Sequence, residues 1–93
     1  MDNELTFAEP GTKEWDAIWT RMKELVGDFE AEHDGEAWQY MGTVHVPHAK
    51  PVHEFRHRCH PATNDRVLLR FDDAGWFRAL TNDGYISTKQ LRQ

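Results

Sequence analysis

Ninety-three residues, 39% of them hydrophobic and 12% aromatic, suit one small domain whose core draws on four Trp, five Phe and two Tyr. A single cysteine excludes an internal disulfide, and no apolar run approaches the roughly 20 residues of a membrane span. Residues 1–4 carry neither the basic nor the apolar region of a secretory signal, so a reducing cytoplasm is the expected setting. The net charge of −5 is unevenly spread: residues 1–37 hold eleven acids against three bases, a balance of −8, and residues 38–93 hold five acids against eight bases, a balance of +3. Such a split bears on partners and association rates rather than on fold.

Pro10-Gly11-Thr12 reads as a helix entry, with Thr12 able to cap and Glu14 and Asp16 in the first turn where the helix dipole favours negative charge. Trp15, Ile18, Trp19, Met22, Leu25, Val26 and Phe29 follow at three- and four-residue spacing and paint one apolar stripe. Gly27 either ends this helix or is tolerated inside it, and His33-Asp34-Gly35 breaks it. Thereafter the pattern alternates. Trp38, Tyr40, Gly42, Val44 and Val46 share one strand face, and Gln39, Met41, Thr43 and His45 share the other. Turn signals at residues 47–51, 61–65, 72–75 and 82–84 separate further strand-like runs at 67–71, 76–80 and 85–87. The expected fold is α+β: an N-terminal amphipathic helix packed on a four- to five-stranded antiparallel meander, with the stripe buried against Tyr40, Val44, Phe55, Val67, Leu69 and Phe71.

The segment VHEFRHRCH, residues 52–60, admits two readings. As a helix it would contain HExxH and set His53, His57 and His60 at i, i+4 and i+7, a face able to hold zinc, with Val52, Phe55 and Cys59 toward the core; a structural zinc would instead draw on Cys59 with His57 or His60 and on His45 or His48. As a strand it would hold His53 and His57 about 13 Å apart, too far to share one ion. The strand reading agrees with both neighbours: Val44 opposite Phe55 places Tyr40 opposite Cys59, and on the other side Cys59, His57 and Phe55 face Val67, Leu69 and Phe71. No cofactor is therefore expected, with zinc on His53, His57, Cys59 and His60 as the alternative.

The same register aligns Thr43 with Arg56, Met41 with Arg58, Arg56 with Arg70 and Arg78 beside Arg70, an arginine row with Trp76 and His45 nearby. Such a row suits a nucleic-acid phosphate and base, an acidic protein, or the chain's own acidic front. Glu24, Asp28 and Glu32 repeat every fourth residue and, with Glu30, Asp34 and Glu36, form a negative strip suited to a partner protein with a basic surface. No phosphate loop, nucleophile elbow or cysteine-nucleophile signature occurs, and Asp72, Asp73 and Asp83 sit where turns use aspartate for backbone bonding. The expectation is a non-enzymatic binding module, an adaptor or inhibitor of a kind common in bacteria and their phages. Interaction candidates are Glu24, Asp28, Glu30, Glu32, Arg56, Arg58, Arg70, Trp76 and Arg78. Nucleic-acid binding through the sheet arginines is the alternative, and an exposed edge strand leaves homodimerisation open.

Overall fold

A computed structural model describes residues 4–27, 38–60 and 65–87. The elements run β1 (Glu4–Thr6), α1 (Lys13–Val26), β2 (Trp38–His45), β3 (Val52–His60), β4 (Asp65–Phe71), β5 (Phe77–Thr81) and β6 (Gly84–Ile86). Among the described residues, one helix and one fully antiparallel sheet in the order β1-β2-β3-β4-β5-β6 make this an α+β chain. The sheet has six strands rather than the expected four or five. The additional strand, β1, precedes the helix and is only three residues long, too short for alternation to announce it.

Helix α1 begins where its capping chemistry directs. The Thr12 hydroxyl oxygen accepts from the Trp15 backbone N–H at 3.2 Å, and Glu14 and Asp16 occupy the first turn. It ends at Gly27, whose φ of 79° is open to glycine at little cost and whose N–H closes back on the Lys23 carbonyl at 2.8 Å. Ile18, Met22, Leu25 and Val26 are buried. The half-buried Trp19 ring meets Phe55 edge-on at 4.8 Å, and Trp15 meets Tyr40 at 5.6 Å in the same manner. Phe29 lies outside the described residues.

The sheet's inner face supplies Trp38, Phe55, Val67, Leu69, Phe71 and Ala79, all buried, with Phe55 stacked on Phe71 at 5.7 Å. Tyr40, Phe77 and Ile86 pack around them. A bulge between Tyr40 and Gly42 reverses the alternation of β2. Val44, expected inward with Tyr40, therefore stands on the outer face opposite Val52, while Thr43 is buried inward at 1% exposure. His45 turns inward too, and its Nε2 lies 2.8 Å from the Thr6 hydroxyl.

Residues 52–60 are strand, as the two-neighbour argument required, but both registers differ from expectation. Tyr40, not Val44, lies opposite Phe55. On the other side His57, Phe55 and His53, not Cys59, His57 and Phe55, lie opposite Val67, Leu69 and Phe71. The second slip is two residues, which keeps His53 to His57 on their expected faces; a further irregularity between His57 and His60 then sets His60 opposite Asp65.

Thr43 links four parts of the fold. Its hydroxyl lies 2.6 Å from the Tyr40 hydroxyl and 2.9 Å from His53 Nδ1. The Ala8 N–H donates to the Tyr40 oxygen at 3.2 Å, and His53 Nε2 lies 3.4 Å from Asp73 Oδ1. One assignment satisfies all of them: Ala8 donates to Tyr40, Tyr40 to Thr43, Thr43 to His53 Nδ1, and the His53 Nε2–H points to Asp73. Thr43→Val, nearly isosteric, should cost about 1–3 kcal/mol in chemical denaturation, because it leaves the Tyr40 O–H without an acceptor and His53 Nδ1 without a donor.

Candidate anion-binding face of the sheet

Alternation places Gln39, Val44, Val52, Glu54, Arg56, Arg58, Arg66, Leu68, Arg70, Arg78, Leu80 and Tyr85 on the outer face, away from the helix. Five of these are arginines, and Glu54 is the one carboxylate among them. The expected arginine row is therefore present in composition but different in pairing. Arg70 stands opposite Arg78 as expected. Arg56, however, lies opposite Leu68 and Gln39 rather than Arg70 and Thr43, and donates from Nε to Gln39 Oε1 at 3.0 Å. Arg58 does not face Met41, which occupies the bulge.

This arrangement resolves the repulsion that a continuous arginine row would create. Glu54 sits opposite Arg70 and accepts from its Nε at 2.8 Å, so the Arg70–Arg78 pair carries one compensating carboxylate. Arg78 is screened differently: its guanidinium lies 5.6 Å from the Trp76 ring centre and 5.0 Å from that of Tyr85. Arg58 and Arg66 are exposed and have no carboxylate partner among the described residues. Both border a cleft of about 600 Å³ together with Arg56, Leu68, Leu80 and Asn82.

Sequence reasoning found Arg56, Arg58, Arg70, Arg78 and Trp76, but missed Arg66, Leu80 and Tyr85. Arg66 was legible, since it alternates with Leu68 and Arg70 in the run DRVLLRF. Tyr85 required the hairpin register that sets it opposite Leu80. His45, expected beside the arginines, is on the other face because of the bulge.

The acidic candidates fare differently. Asp28, Glu30 and Glu32 lie outside the described residues, and Glu24 is exposed in the last part of α1. Helix α1 is itself balanced, with Lys13, Arg21 and Lys23 against Glu14, Asp16 and Glu24. Described residues thus show a concentrated positive face but no concentrated negative one.

The histidines of β3 serve the inner face. His53 is held by Thr43 and Asp73, and the buried His57 ring meets Trp38 edge-on at 5.1 Å. Four residues apart on a strand, they cannot share an ion. The side chains of Cys59 and His60 lie outside the described set, and within that set no three His, Cys, Asp or Glu residues group as metal ligands. Chelator treatment is expected to leave the thermal midpoint unchanged, and a fall in that midpoint would restore the zinc reading. Asp73, His53 and Thr43 follow the order of a nucleophilic triad, yet the Thr43 hydroxyl is sealed in the core between Tyr40 and His53, where no substrate reaches it. Asp72 serves its turn, accepting from the Ala74 and Trp76 N–H groups at 2.9 and 3.0 Å.

No helix among the described residues is long and apolar enough to cross a membrane. No family model matches the chain, and searches of curated proteins and of solved structures return no match to it.

Proposed function

We propose that this chain is a non-enzymatic binding module that holds an anionic macromolecule on the outer face of its sheet. The observation that carries the reading is that, among the described residues, five arginines stand against one carboxylate on a single face, in a protein whose net charge is −5. Charge concentrated against the overall balance favours local recognition over general attraction. Helix α1 and the core lie on the other side of the sheet. No metal or cofactor enters this reading, and a cytoplasmic location suits a chain with a lone thiol. A partner with a basic surface, docking on the acidic segment, would use Asp28, Glu30 and Glu32 instead and leave the arginines uninvolved.

Retention on an immobilised polyanion at low salt tests the reading. The wild-type protein should be retained despite its net charge, and Arg58→Glu with Arg66→Glu should pass through. Lys13→Glu with Lys23→Glu, which makes the same charge change on the helix, should still be retained. Flow-through of the wild type, or equal loss in both double variants, would refute a specific cationic face.

A further inference from the structure

The outer face offers more than charge. Tyr85 is 67% exposed and Trp76 is 42% exposed, large aromatic surfaces standing beside Arg78. An acidic peptide is satisfied by guanidinium groups alone and would leave these rings with no partner beyond Arg78. A nucleobase has a flat face that stacks on them, and its phosphate takes the neighbouring arginine. The cleft repeats the combination: Leu68 and Leu80, paired across β4 and β5, give it an apolar part, and Arg56, Arg58 and Arg66 line it as well.

Resting on the binding-module reading above, we propose that the partner is a single strand of nucleic acid, crossing β3 to β6 with phosphates on Arg56, Arg58, Arg66 and Arg70. One base packs against Tyr85 and Trp76, which Arg78 holds in place, and a second enters the cleft over Leu68 and Leu80. Duplexes fit poorly. Their base faces are buried in their own stack, and reading their edges calls for an element that enters a groove, whereas this face is a sheet surface. Since the protein is negative overall, binding depends on these local contacts. With four phosphates neutralised, the affinity should fall with salt at a log–log slope of roughly 3.

Fluorescence anisotropy on the full chain tests the inference with three probes: a mixed-sequence single-stranded RNA of about 12 nucleotides, a duplex of the same length, and polyglutamate. The single strand should bind at least tenfold more tightly than either other probe. Arg58→Glu with Arg66→Glu should lose that binding. Tyr85→Leu, which keeps bulk but removes the π-face, and Trp76→Ala should each weaken it roughly tenfold, with thermal midpoints near wild type because both side chains are exposed. Polyglutamate bound as tightly as the strand, with the aromatic variants unchanged, would overturn the nucleic-acid inference while leaving an anion-binding face intact. Equal binding of the duplex would also overturn it. Failure of every probe at low salt would remove both readings together.

Discussion

Phe55→Ala should lower unfolding free energy by about 3–5 kcal/mol, read as a shift of the denaturant midpoint at unchanged slope. Phe55 has no exposed surface and sits in β3, one of the two central strands, touching Trp19 of the helix, Tyr40 of β2 and Phe71 of β4. Its removal opens a cavity where the helix layer and three strands converge. These neighbours are aromatic rings whose positions are set by one another, so they cannot collapse far into the space. Against a typical domain stability of roughly 5–15 kcal/mol, such a loss can consume most of what a chain of this length has. Phe55→Leu, which retains much of the volume, should cost markedly less, and equal losses in the two variants would show that the cavity is not the cause.

Gly42→Val should be the most damaging change at a position that carries no side chain, on the order of 3 kcal/mol. The backbone there has φ +117°, and a Cβ would lie 2.8 Å from Leu5 Cδ1, 3.1 Å from Phe7 Cε2 and 3.2 Å from the Thr6 carbonyl oxygen. Two of these are side-chain tips that can yield, but the third is backbone of β1. The substitution therefore strains the bulge and pushes β1 from its neighbour. Gly75→Val supplies the comparison, because φ there is +105° with nothing within 4 Å of the added Cβ. The excess cost at Gly42 measures the close approach alone, and equal costs at the two sites would show that β1 contributes nothing to it.

Gly42 also marks where the sequence was hardest to read. A glycine inside a strand signals a bulge or a close backbone approach, and here it accompanies both. Treating residues 38–46 as evenly alternating carried Val44 into the core and His45 to the arginine face, and both assignments failed at that one extra residue. Alternation did assign β3 as far as His57, and β4 from Arg66, to the correct faces. It could not assign their partners, because a period of two is blind to a slip of two. For that reason the arginine face was legible as a set of residues, while the Glu54–Arg70 pair that makes it tolerable was not. The Tyr40–Thr43–His53–Asp73 chain was illegible for a related reason: its members are scattered in sequence and meet only through the observed register.

From β2 onward each strand pairs with the one that follows it in the chain, so every hairpin closes over a short stretch. The pairing of β1 is the exception, joining Leu5 to Val44 across the whole of α1 and the segment beyond. Its ordering entropy is therefore the last to be offset during folding. In the native state the same strand should open without disturbing the others, since it sits at an edge, is three residues long and leaves Leu5 and Phe7 largely exposed. Amide hydrogens of β1 should thus exchange with solvent well before those of β3 and β4. Opening would bare the edge of β2, a surface able to accept an added strand from another chain.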